Sequence, residues 1–268
     1  MTIKIDSDRM LNLLGDNGEH WEQLCGRGGL SLLDAILRCC PQRADVFLVE
    51  QVAAWQGWGD YFRWGIHWND LEDTDWEMVR ALIVAGIEVT DAMLAETFGP
   101  QWEAIVALVR RAVVLTADDM LRMVAARDAA DVATRDAARG AARGAAERAA
   151  DVDAWFADPR FNREGSNRRA AQTAVEWAAQ GDAQTAVLGA VRYAADVAAR
   201  VSGAARDAAL ARALVEARDA ARDAALAVAV RSLIGQYDFS QHDYDTLTRP
   251  WSTVIGLVHP SDGDAKGG

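Results

Sequence analysis

The chain has 268 residues, enough to bury a substantial core. Forty acidic side chains against 28 lysines and arginines leave a net charge of −12, which argues against a general nucleic-acid or anionic-membrane binder. Half of the residues are apolar, but many are alanines that bury little area each, so ten tryptophans and the larger aliphatics must supply the bulk of the core.

The first residues, MTIKIDSDRMLNLLGDNGEHW, lack the apolar run and cleavage site of a secretory signal. The longest apolar runs, such as AVAV at Ala227–Val230, are far too short to span a membrane. A cytoplasmic protein with no membrane partner is the expectation. Cys25, Cys39 and Cys40 form no CxxC pair and read as reduced thiols.

Helix-start signals recur along the chain. Ser7 precedes DRMLNLL, and Ser31 with Asp34 opens LLDAILRCC, which Pro41 closes. VFLVEQV and ALIVAGIEV are the only strand candidates, and both also fit helical periodicity. Thr74 with Glu77 forms a capping box before WEMVRALIVAG, and Gly99-Pro100 separates AMLAETF from QWEAIVALVRRAVVL. Thr116 with Asp119 opens an alanine-rich region read as two long helical stretches, roughly 117–156 and 166–235, joined by DPRFNREGSN. The second stretch has candidate breaks at Gly181-Asp182 and Ser202-Gly203. Ser240 with Asp243 opens a short helix, and Pro250 is expected to open another.

The expected fold is therefore all-α: an N-terminal cluster of short aromatic-rich helices over 1–115, packed on long Ala-rich helices over 116–258. A polar, Gly-rich tail over 259–268 is expected to be disordered. Alanine has the highest helix propensity, and its small side chain lets helices approach closely. In ARDAADVATRDAARGAARGAAERAADV, Arg135, Arg139 and Arg143 recur every four residues, slightly slower than the helical 3.6, so the alanine stripe drifts around the surface. Such a helix must meet several neighbours in turn or cross them at an angle.

Two constellations are candidates for an interaction surface. Trp55, Trp58, Trp64 and Trp68, with Tyr61 between, recur at three- and four-residue intervals. They either fill the core that alanines leave open, the preferred reading, or form an exposed aromatic platform. Arg135, Arg139 and Arg143, followed by Arg148, make a basic ridge suited to phosphate or to a partner's acids. Asp131, Asp136, Glu147 and Asp151 lie within a helical turn of these arginines, so a solvated, self-paired surface is the preferred reading. Arg218, Asp219, Arg222 and Asp223 look balanced in the same way.

Chemistry is not signalled. The acidic run Asp70, Glu72, Asp73, Asp75 and Glu77 lacks the glycine and bidentate Glu of a calcium loop, and no histidine stands at zinc-ligand spacing. CGRGG at Cys25–Gly29 lacks the Lys and Ser/Thr of a phosphate loop, and no GxSxG elbow occurs. No catalytic residue, metal or cofactor is assigned.

Phe239, Ser240, Tyr244, Asp245, Leu247, Thr248, Pro250, Trp251, His259 and Pro260 form a pattern F-[ST]-x-x-x-Y-D-x-L-T-x-P-W with a closing H-P. Following an ARDAARDAA helix, it resembles the ends of alanine-rich helical proteins of actinobacteria and their phages. The likeness spans Ser232–Asp262 and the general composition, and it implies no activity and no site residue. Tyr244, Leu247 and Trp251 read as one apolar face that caps the long helix.

The functional expectation is a non-enzymatic interaction or assembly protein, with a phage-encoded protein acting on a host protein as its specific form. It would bind a protein partner or a second copy of itself. Two alternatives stand beside it: an acidic inhibitor covering a nucleic-acid-binding surface, and a small-molecule binder or enzyme with a Trp-lined pocket.

Overall fold

The computed structural model describes residues 2–14, 39–40, 42–55, 88–128, 132–156, 164–202 and 208–262. It is almost wholly helical, and the contacts divide the chain into two compact units, Met1–Leu94 and Ala95–Gly268.

In the first unit, strand β1 (Ile3–Lys4) pairs antiparallel with β2 (Glu88–Val89), Ile3 opposite Val89 and Lys4 opposite Glu88. Alternation puts Ile3 and Val89 inside and leaves Lys4 and Glu88 to form an ion pair at 3.9 Å on the other face. The end of ALIVAGIEV is thus extended, a small departure from the all-helical expectation. Helix α1 (Ser7–Leu14) is capped by Asp6 rather than by Ser7, because Asp6 Oδ1 accepts the Arg9 backbone N–H at 2.9 Å. VFLVEQV lies within α2 (Arg43–Trp55), whose buried Ala44, Leu48 and Val52 follow a four-residue stripe. Burial raises the Cys39 thiol and, with Asp45 and Cys39 nearby, pushes Cys40 up to about 12, which disfavours the thiolate.

Helix α3 (Asp91–Phe98) leads into the second unit, where a short turn at Gly99–Gln101 runs into α4 (Trp102–Ala112). Gly99 takes a left-handed φ of 71°, which ends α3 sharply. Next come α5 (Ala117–Asp128) and α6 (Val132–Phe156). Helix α5 begins with a complete capping box: Thr116 Oγ1 accepts the Asp119 N–H at 3.1 Å, and Asp119 Oδ2 accepts the Thr116 N–H at 2.9 Å. Helix α7 (Glu164–Ser202) runs unbroken past Gly181 and stops at the second candidate break, and α8 (Ala208–Ala229) follows.

Alanine explains how these helices meet. On α7 the buried Ala179, Ala183, Ala186, Ala190 and Ala194 keep helical spacing, and they belong to the helix pair with the most extensive contact, α7 with α8. From Ala224 to Val230 every residue of α8 and its end is buried, as a helix surrounded by neighbours requires. Helix α8 touches α4, α5, α7 and the last helix, α9 (Gln241–Ile255). The drifting stripe of α6 likewise meets two neighbours extensively, α7 and α9.

Pro250 does not open a helix but sits inside α9. The helix starts at the Ser240–Asp243 capping box and continues past the proline. The Thr248 hydroxyl donates to the Tyr244 carbonyl at 2.9 Å, and buried Tyr244, Leu247 and Trp251 anchor the face on both sides of the ring. Tyr244 and Leu247 share one cluster with Leu226 of α8, Val230 just beyond it, and Ala138, Ala142 and Ala145 of α6. The C-terminal segment is a packed cap, as its apolar face implies.

Candidate functional site

The four-residue spacing of α6 stacks Arg135, Arg139 and Arg143 along one side of the helix. On α8 the same spacing aligns Asp219 with Asp223, and Arg222 stands beside them. Arg139 joins the two helices. Its Nε and Nη2 donate to Asp223 Oδ1 and Oδ2 at 2.5 and 2.7 Å, and its Nη1 donates to Asp136 Oδ1 at 3.1 Å. Asp223 is 1 % exposed. Burial pushes its carboxyl above the usual range while the Arg139 bonds oppose that, and the Asp223 bonds in turn raise Arg139.

Asp219 is engaged from the other side. Buried Arg127 of α5 donates through Nη1 to the Glu216 carbonyl at 3.0 Å and lies 3.1 Å from Asp219 Oδ2 and 3.2 Å from Glu216 Oε2. Asp136, Arg139, Gly140, Arg143, Asp219 and Arg222 together line a cleft of about 310 Å³. A Cβ added at Gly140 would meet nothing within 4 Å, so this wall is open. Arg143 and Arg222 are exposed, and neither forms an ion pair among the described residues. Every carboxylate of the cleft is therefore held by an arginine, while two guanidiniums are left with donors to spare.

The arginine ridge pairs in part at the spacing the sequence favours, since Arg139 bonds Asp136 one turn away, and in part with other helices. Arg139 reaches across to α8, because a buried carboxylate with bidentate geometry competes well against exposed neighbours at one turn. Arg148 reaches the Tyr237 carbonyl and Asp238 in the turn after α8. Arg135 is 7 % exposed, its Nε and Nη1 have no hydrogen-bond partner, and it does not line the cleft. Of the three arginines singled out by sequence, Arg143 alone is both in the cleft and unpaired. Arg222 gives no signal in the sequence because RDAARDAA looks neutral; only the loss of both its aspartates to other helices exposes it. Trp58, Trp64 and Trp68, the acidic run Asp70–Glu77 and the CGRGG turn lie outside the described residues, as does the side chain of Trp55.

A second polar cluster closes the C-terminal cap. The Tyr244 hydroxyl donates to Asp262 at 3.0 Å, and Asp262 Oδ2 accepts the His259 N–H at 2.9 Å. Arg231 lies 3.6 Å from Asp262 and 5.7 Å from the centre of the Tyr244 ring. The His259 ring accepts the Ser261 N–H at Nδ1 and meets Gln101 Oε1 at Nε2, both at 3.1 Å. The start of the tail is thus a docked turn, Pro260–Asp262. Both ring nitrogens of His259 are engaged, which marks it as a tether rather than a free base.

Among the described residues no group of His, Cys, Asp and Glu is placed to hold a metal ion, and no helix is long and apolar enough to cross a membrane. No protein-family model, curated protein or solved structure matches the chain.

Proposed function

We propose that the protein is a non-enzymatic helical interaction protein that engages an acidic group of its partner through the cleft between α6 and α8. The observation that carries this is the pair of exposed, unpaired guanidiniums, Arg143 and Arg222, on one cleft whose carboxylates are already held. Arginine suits such a contact because its rigid fork binds carboxylate or phosphate with two parallel bonds. The alanine-packed bundle beneath keeps the two helices, and so the two arginines, in fixed register. A cytoplasmic setting and an origin in actinobacteria or their phages belong to the same proposal, supported by composition and by the Phe239–Pro260 pattern.

Affinity capture from an actinobacterial lysate tests it, comparing the wild type with R143A/R222A and with R192A/R249A. The control removes two exposed arginines elsewhere on the same unit. A partner, or a second copy of the chain, held at fixed stoichiometry by wild type and control but lost with R143A/R222A is the expected result. Equal capture by all three overturns the assignment of the cleft.

A further inference from the structure

We infer that the partner engaged at the α6/α8 cleft is a second copy of this chain, docked antiparallel along α6 so that Arg143 of each copy meets Glu147 of the other; this rests on the cleft being the binding site. The charge pattern carries it. Arg127, Arg139, Arg143 and Arg222 balance the carboxylates around the cleft, so the surface is neutral in sum but alternates in sign. A partner of one sign gains nothing overall from such a surface, whereas a partner that alternates in the same way can match it. A two-fold axis supplies that match, because when residue i of one copy meets residue j of the other, j meets i as well.

The same helix supplies the acid. Glu147 stands one turn beyond Arg143 on the exposed face of α6, and neither forms a hydrogen bond or ion pair among the described residues. Within one helix their order is unfavourable, since an acid pairs better four residues before a base than after it. Between antiparallel copies the order is no obstacle: setting Arg143 opposite Glu147 also sets Glu147 opposite Arg143, so one operation makes two pairs. The axis then falls close to the middle of α6 (Val132–Phe156), and the two helices overlap along their length. Arg222, on the facing wall of the cleft, adds a second donor to the same contact. Close approach along this face is open. A Cβ added at Gly140 would meet nothing within 4 Å, and one at Gly144 would first meet the end of the Arg148 side chain at 3.7 Å. Packing inside the chain therefore requires neither glycine, although each weakens the helix relative to alanine. A second helix backbone crossing here makes use of both.

Sedimentation equilibrium of the full chain tests the inference. A monomer–dimer equilibrium with a Kd of about 1–100 µM is expected. It should weaken about tenfold or more in R143E and in E147R, each of which sets like charges opposite each other, and stay unchanged in R192E, which alters an exposed arginine of α7. Mixing R143E with E147R restores both pairs in a heterodimer, and the double variant R143E/E147R restores them in a homodimer; both are expected to associate as the wild type does. A damaged fold is not repaired by mixing, so recovery separates a lost contact from a damaged chain. A wild type that stays monomeric to about 200 µM, association indifferent to R143E and E147R, or no recovery on mixing overturns the inference. A monomeric chain that still captures another protein through Arg143 and Arg222 overturns the second copy alone and leaves the cleft assigned.

Discussion

Arg139 and Asp223, 84 residues apart in the chain, meet in a two-bond fork at 2.5 and 2.7 Å that ties α6 to α8. Because Asp223 is almost fully buried, removing its partner strands a charge or forces a proton onto it. Arg139→Ala is expected to destabilise the protein by about 3–5 kcal/mol, and Arg143→Ala by no more than about 0.5 kcal/mol. Replacing both partners at once, as in Arg139→Met with Asp223→Leu, should restore much of the loss, since no unpaired charge remains. Urea unfolding of the four proteins checks this. Similar midpoints for Arg139→Ala and Arg143→Ala would remove the distinction between the two arginines.

Tyr244→Phe deletes the hydroxyl that donates to Asp262, at a cost of about 1.5–3 kcal/mol for a bond to a charged group. The loss should be felt where Asp262 also accepts, at the His259 N–H. Hydrogen exchange at that amide is expected to quicken in the variant. An unchanged rate would mean that the turn is held by packing alone.

His259 gives a pH dependence with a defined sign. Since Nδ1 accepts the Ser261 N–H, the ring is neutral with its proton on Nε2, donated to Gln101. Burial, reinforced by Arg231, holds its pKa below the ordinary 6.5. Between that lowered value and 6.5 the unfolded chain binds more protons than the folded one, so the contribution is complete above 6.5 and is lost as the pH falls. The stability difference between wild type and His259→Gln should therefore shrink from pH 8 towards pH 5. A difference that widens on acidification would contradict the tautomer.

Alanine at the helix contacts is required by space. Ala190→Leu forces extra methylene groups into a fully buried contact position and should lose about 1–3 kcal/mol. Gly181→Ala, exposed on the same helix with nothing within 4 Å of the new Cβ, should gain about 0.5–1 kcal/mol. Thermal unfolding of the pair checks both signs, and stabilisation by leucine would show that α7 has slack.

The features legible in the sequence are those set by neighbours in the chain. The Thr116–Asp119 and Ser240–Asp243 boxes are local and stand where the residues place them. The helical spacing of buried alanines and the capping face of Tyr244, Leu247 and Trp251 are periodic signals, and they too are met. Pairing of Ile3 with Val89 is not local, and two-residue strands leave no period to detect. Pro250 misleads because the local rule against mid-helix proline is overridden by the buried face around it. The cleft is the feature least visible in the sequence. An R-D-A-A repeat offers every arginine an acid one turn away, so sequence alone cannot tell that Asp219 and Asp223 are taken by Arg127 and Arg139 on other helices.

Exchange of the arginine Nε–H protons, followed by 15N NMR, tests the separation of paired from unpaired arginines most directly. Arg139 Nε–H should exchange slowly, because it is bonded to Asp223. Arg143 and Arg222 should exchange fast in the free monomer, because neither is bonded. Slow exchange of Arg143 and Arg222 there would contradict the assignment of the cleft.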